Sequence, residues 1–338
     1  MVPQLIPLEI RATFQNEQDQ PLKGLRPDPD LGYKYAPGLN KHPVPFTGDT
    51  GAMTYTVSTI SLGYDEVGFR DDGLDDEPFG VVIGDSYVSC ASVEITECWV
   101  ELLEKEMGKD LVNLGVVGYS PQQEQRMLTK YGLPLQPELV MWVFFANDLD
   151  DAWRFDQFGS GPVQGKFWDK PVQGWLARNS TIYTTFSFFW HNRYLFYNLI
   201  RANREIVSGD SHLIWWLTYT DLAIPEVSEG LKLTQDAILT AYEQTQTRFP
   251  DTKFVVVIIP FREQVYAPST LQDRFDDLNE ALIDFCGQHN IPIIDLTPAI
   301  RAKASHETDP VYFTQDIHLN IQGNQLVAEL LAQSLSRD

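Results

Sequence analysis

The chain has 338 residues, of which 43% are hydrophobic, 21% charged and 12% aromatic. That mix describes a globular chain with a sizeable core and excludes collagen-like, coiled-coil and disordered classes. Acidic side chains outnumber basic ones 47 to 25, a formal charge of -22 that repels nucleic-acid phosphates and anionic lipid surfaces. Neither is therefore expected as a partner.

Three cysteines, Cys90, Cys98 and Cys286, follow no metal-ligand spacing. A helix running from Tyr87 to Met107 would hold Cys90 and Cys98 about two turns apart, too far for a disulfide. All three are expected as small buried apolar groups. No apolar run reaches the roughly 18 residues of a membrane span, and the run Phe254 to Phe261 is strand-sized. No signal peptide is visible after Met1-Val2-Pro3, which leaves open a leader or anchor removed upstream.

Residues 1–79 are rich in Pro, Gly and Asp and read as an N-terminal extension packing on the core. Their alternating stretch Met53–Ser58 predicts one short antiparallel strand. From residue 80 the pattern changes to apolar runs alternating with helices, the signature of a parallel sheet covered on both faces. Gly80–Gly84, Leu111–Leu114 and Leu139–Phe145 are the first three predicted strands, with helices at Tyr87–Met107 and Pro121–Tyr131. An insertion at about 150–230 holds six of the eight tryptophans and an aromatic helix from about Ser180 to Arg204. The rhythm then resumes with a helix at Leu231–Arg248, a strand at Lys253–Ile259 and a helix at Leu271–His289. A strand at Ile291–Asp295 and a helix at Ile321–Ser334 close it. The expected fold is a flavodoxin-like three-layer α/β/α domain over residues 80–338, with a central five-stranded parallel sheet.

Four groups sit where strands of this sheet end or a helix begins. Ser86, in Gly84-Asp85-Ser86-Tyr87, follows the first strand and opens the predicted helix. Strand C-termini line the crevice of open α/β sheets, and a helix start offers free N–H groups to an oxyanion. The same Asp-Ser pair also suits an ordinary N-cap. His318, in Asp316-Ile317-His318, has a carboxylate on the same loop, as a general base and its orienting partner require. The other five histidines fall in predicted loops or on helix surfaces. Asn147 ends the third strand with a side-chain amide that can donate to an oxyanion. Gly118 follows the second, where a missing Cβ lets the backbone approach a ligand.

The order and context of Ser86, Gly118, Asn147 and His318 resemble the SGNH hydrolase superfamily, the GDSL esterases and lipases. The resemblance covers about residues 80–148 and 253–334. The lead-in Asp28-Pro29-Asp30-Leu31-Gly32-Tyr33 and Gly68-Phe69-Arg70-Asp71 looks like the family's membrane-associated bacterial branch, as do Asn179-Ser180-Thr181-Ile182-Tyr183, Tyr312-Phe313 and the Asn320-to-Gly323 spacing. The resemblance implies Ser86 as nucleophile, His318 as general base and Asp316 as its orienting acid. It implies an oxyanion hole from the Ser86 and Gly118 N–H groups and the Asn147 amide, with no metal and no cofactor. The substrate it implies is a short-chain acyl ester, such as an acetyl ester, of a carbohydrate or small molecule, in an extracytoplasmic setting.

Two positions depart from the family pattern. Phe145-Ala146-Asn147-Asp148 lacks the usual glycine, and one residue rather than two separates Asp316 from His318. The shorter spacing is similar to that of alginate-acetylating relatives, which makes O-acyl transfer to a sugar hydroxyl the alternative reaction. A non-catalytic carbohydrate-binding protein is the third reading. Elsewhere, Asp71-Asp72-Gly73-Leu74-Asp75-Asp76-Glu77 reads as a solvated loop without calcium-loop spacing. Asp148, Asp150 and Asp151 read as a surface turn, with cation binding as the alternative, Asn179-Ser180-Thr181 as a glycosylation sequon, and Arg262 and Gln264 as candidate substrate contacts.

Overall fold

Strands of a covered parallel sheet are apolar on both faces, and five such strands form the centre of this protein. The computed structural model describes residues 24–73, 77–159, 211–304 and 310–336. In chain order the central strands are β5 (Gly80–Ile83), β6 (Leu111–Asn113), β7 (Leu139–Phe144), β8 (Lys253–Ile258) and β9 (Ile293–Asp295). They lie in the spatial order β6-β5-β7-β8-β9, and every pairing is parallel. This is the doubly wound flavodoxin-like order, whose direction of winding reverses between β5 and β7. Every residue of β7 is buried, as befits the middle strand.

The connecting helices cover both faces of the sheet. Helix α1 (Trp99–Met107) packs against the C-terminal helix α9 (Ile321–Leu335), while α2 (Pro121–Met127) and α3 (Asp148–Phe158) pack against α5 (Pro225–Arg248). The remaining described helices are α4 (Ser211–Tyr219), α6 (Arg262–Tyr266), α7 (Ser269–Gln288) and α8 (Thr297–Lys303). Among the described residues, no helix is long and apolar enough to cross a membrane.

Ahead of the sheet lie two antiparallel ribbons, β1 (Leu25–Asp28) with β2 (Gly32–Tyr35) and β3 (His42–Gly48) with β4 (Gly51–Val57). The sequence reading expected a single strand here. Leu31, Tyr35, Val57 and Phe69 of this segment belong to the same buried apolar cluster as the sheet.

The expected helix Tyr87–Met107 is corrected. Residues 87–94 form turns, Ile95–Glu97 a single 3-10 turn, and regular helix starts only at Trp99. The cause lies at Arg70, 1% exposed, whose guanidinium gathers the carbonyls of Ser89, Cys90 (2.5 Å), Val93 (2.6 Å) and Thr56 (3.2 Å). Carbonyls held this way are withdrawn from a helical ladder, and Cys90 and Ser92 take left-handed φ values of 49° and 75°. The chain therefore doubles back, and Cys90 and Cys98, with Cα atoms 5.4 Å apart, form a disulfide that straight-helix geometry excluded. Cys286 is free and buried, as expected.

Helix α3 is a second correction. Asp148, Asp150 and Asp151 are its first turn rather than a surface turn, where acidic groups complement the helix dipole, and Asp148 is buried. The aromatic segment Ser180–Arg204 and the sequon Asn179-Ser180-Thr181 lie outside the described residues.

Candidate active site

The site is built at the winding reversal of the sheet, where the loops after β5, β6 and β7 converge. As the chain leaves β5, Asp85 Oδ1 accepts the Tyr87 N–H at 2.9 Å and fixes the turn that presents Ser86. The second loop lies alongside, with the Val116 N–H donating to the Gly84 carbonyl at 3.2 Å. Gly115 permits this approach, since a Cβ there would stand 2.4 Å from the Ser89 nitrogen. Gly118 follows at φ +71°, a left-handed conformation that costs glycine little.

His318 comes from the other end of the chain. Its loop is pinched shut by the Tyr312–Leu319 bridge and the Phe313 N–H donating to the His318 carbonyl at 3.1 Å. Asn320 then caps α9, its side chain accepting from the Gly323 N–H at 2.9 Å. Gly323 must lack a side chain, because a Cβ would sit 2.0 Å from the Val311 carbonyl oxygen.

These elements bring His318 Nε2 to 2.8 Å from Ser86 Oγ, while Nδ1 of the same ring meets Asp316 Oδ1. Asp316 Oδ1 also accepts the His318 backbone N–H at 2.9 Å, so one intervening residue is enough to seat the carboxylate under the ring. The tautomer with its proton on Nδ1, directed at Asp316, would leave Nε2 as the acceptor for the serine hydroxyl. Ser86 Oγ also lies 3.3 Å from Asp85 Oδ2, a longer and weaker contact.

Asn147 reaches the same cluster, but the amide expected to donate to an oxyanion is already engaged. Its Nδ2 donates to Asp85 at 3.0 Å and to Asp151 at 2.8 Å, and its Oδ1 has no partner. Both N–H bonds are engaged, so an oxyanion would have to displace one of the carboxylates. Below lie Glu124 and Asp148, buried carboxyls pushed well above the ordinary carboxylate range, first by burial and then by neighbouring acids. Asp148 keeps one bond, accepting the Phe145 N–H at 3.1 Å, while Glu124 receives none.

A model of the GDSL-like lipase/acylhydrolase family matches residues 82–326, more than two thirds of the chain. The protein belongs to the GDSL-like lipase/acylhydrolase family. Solved structures similar to this GDSL-like chain include an acetyl xylan esterase, with a TM-score of 0.44 and 14% identity over 76% of this chain and 98% of that one. The lipase/acylhydrolase from Enterococcus faecalis has a TM-score of 0.41 and 16% identity over 76% and 95% of the two chains. The esterase EstA from Pseudoalteromonas sp. has a TM-score of 0.41 and 12% identity over 78% and 98%. No curated protein sequence matches the chain.

Around this GDSL-like site stand residues that sequence reasoning passed over. Tyr33 donates from its phenol to the carbonyls of Val117 and Gly118, at 3.0 and 2.6 Å, and so braces the glycine loop from β2. Tyr87 stacks on Phe145, with ring centroids 3.7 Å apart, and its hydroxyl donates to the Ile317 carbonyl, tying the serine turn to the histidine loop. In the sequence Tyr33 stands only within the lead-in motif and Tyr87 only as the neighbour of Ser86, with nothing to mark these contacts. Arg262, a suggested substrate contact, donates to the Thr314 carbonyl at 2.5 Å and pairs with Glu263. Gln264 is buried and donates to Asp276 at 3.1 Å.

Proposed function

We propose that this GDSL-family chain is a serine esterase that hydrolyses short-chain acyl esters, acetyl esters above all, of a carbohydrate or small molecule. The observation that carries this reading is the unbroken run Ser86 Oγ to His318 Nε2 and His318 Nδ1 to Asp316. In it, His318 takes the hydroxyl proton as Ser86 attacks the ester carbonyl, and Asp316 steadies the imidazolium that results. The tetrahedral anion collects on the Ser86 and Gly118 N–H groups and on the Asn147 amide once it releases Asp85. His318 then returns the proton to the departing alcohol, and water attacks the acyl-enzyme by the same route in reverse. The proposed setting is extracytoplasmic, and the Cys90–Cys98 disulfide supports it, because such bonds persist in oxidising compartments.

The test is hydrolysis of p-nitrophenyl acetate, butyrate and octanoate by the wild type and by Ser86→Ala. Turnover should be fastest on acetate and fall at least about 10⁴-fold in the variant. Turnover that survives in Ser86→Ala refutes the serine mechanism. The single-residue Asp316–His318 spacing favours O-acyl transfer as the second reading. Acyl release only in the presence of a sugar acceptor selects it, and no turnover under either condition selects a carbohydrate-binding protein.

A further inference from the structure

Away from the serine, the loop before β5 meets the first turns of α1 in a group of carboxylates. Oxygen atoms of Asp71, Asp72 and Glu101 all lie within 4.8 Å of one another. Oxygens bound on opposite sides of one calcium ion stand about 4.6–5.2 Å apart, twice the usual ligand distance, so a single ion fits within this spacing.

Glu101 supplies the separate observation that points to a ligand. Its side chain is 0% exposed, and neither carboxylate oxygen receives a hydrogen bond. A buried carboxylate is ordinarily paired or hydrogen-bonded, since stripping it of water is costly. No lysine or arginine closes on these oxygens, although Arg70, whose Nε is buried without a partner, is near enough for its charge to be felt at Glu101. Arg70 Nη1 and Nη2 donate to backbone carbonyls on the serine loop and β4, and Lys109 Nζ lies 3.5 Å over the Phe79 ring. Among the described residues, none of the three acids forms an ion pair with a lysine or arginine. Asp71 accepts the Gly73 N–H at 2.9 Å through Oδ1 and the Asn113 N–H at 3.2 Å through Oδ2. Each of its oxygens keeps a second lone pair for a metal. Glu104, one turn further along α1, accepts the Leu111 N–H at 2.6 Å and adds negative charge beside the group. Asp72 is exposed, so the site opens to solvent on one side and water can complete the coordination.

We propose that Asp71, Asp72 and Glu101 bind a calcium ion that clamps the loop before β5 to helix α1, apart from the proposed triad. All three ligands are hard carboxylate oxygens, and the flexible, partly hydrated shell suits calcium better than the strict octahedron of magnesium. The clamp adjoins the catalytic loops: Asn113, bonded to Asp71, donates from Nδ2 to the Val88 carbonyl at 2.7 Å and accepts the Gly115 N–H at 3.0 Å.

The test uses the full chain, stripped with EDTA and dialysed, titrated with calcium chloride in calorimetry and in thermal unfolding, with magnesium chloride run in parallel. Wild type should bind one ion per chain, and its Tm should rise by about 3–5 °C at a hundredfold excess of calcium over Kd. Asp72→Asn, at an exposed position that leaves the fold intact, and Glu101→Gln should each weaken binding at least about tenfold. Metal-free Asp72→Asn should melt above the metal-free wild type, because a repelling charge has been removed, whereas metal-free Glu101→Gln should melt close to it, since burial beside Asp72 and Asp71 keeps the Glu101 carboxyl protonated when no metal is bound. No saturable calcium binding by the wild type overturns the proposal. So does an equal rise in Tm in wild type and Asp72→Asn, which marks general screening of an acidic surface. A response to magnesium with none to calcium overturns the choice of ion.

Discussion

The loops after β5, β6 and β7 carry Ser86, Gly118 and Asn147, whereas residues 24–73 contribute none of the groups proposed to react. Yet that earlier segment supplies Tyr33 to the glycine loop and Arg70 to the turn behind the serine. The sheet delivers side chains to one edge because strand ends and helix starts coincide there. It does not hold the connecting loops in shape, since the carbonyls of Ser89, Cys90 and Val93 have left the helical ladder. A segment without such groups therefore fixes the geometry of those proposed to react.

The largest break in this division should come from Arg70→Met. It leaves four carbonyls without their donor in a buried site, a loss of about 3–5 kcal/mol in stability by urea unfolding. A loss under about 1 kcal/mol would mean that the turns after Ser86 hold themselves. Tyr33→Phe is milder and more selective. The variant should stay folded, losing about 1 kcal/mol, while kcat on an acetyl ester falls about tenfold at unchanged KM. A matching rise in KM would show that Tyr33 contributes to substrate binding rather than to the loop.

Glu124→Gln sharpens the comparison from the side of the sheet, through the pH dependence of stability. Burial raises the Glu124 carboxyl in the fold, so between its ordinary value of 4.5 and that raised value only the unfolded chain gives up the proton. Stability from this group is present at acid pH and declines as pH rises, by up to about 1.4 kcal/mol per pH unit over that window. The glutamine variant should lose less stability than wild type between pH 5.5 and pH 8.5 in parallel melts. Identical slopes would show that Glu124 is hydrated and ionised in the native state.

Four of the five sheet strands are buried nearly throughout and show as apolar runs, Phe254 to Ile258 being the plainest, while the half-buried edge strand β9 showed through Ile293 and Ile294. Ser86 and His318 were legible from motifs whose context, strand then turn and loop then helix, agreed with those strands. Helix α3 was hidden by its acidic opening, which has the composition of a turn, although Leu149, Ala152 and Phe155 carried the spacing of a buried helical face. The Cys90–Cys98 pairing was not legible, because separation along the chain converts to distance only once the backbone path is known. That path is set by Arg70, a residue far from either cysteine in sequence. The Tyr33 brace was hidden for the same reason: a tyrosine in a short strand gives no sign of which loop its hydroxyl will meet.

The ring closed by Cys90 and Cys98 begins a few residues beyond Ser86 and ends where α1 starts. Its closure releases two electrons, so the covalent tie across the turn behind the serine forms only after an oxidant has acted on the chain. Maturation of this turn is thus a redox event as well as a folding one, and a chain produced under reducing conditions carries two thiols side by side and unjoined.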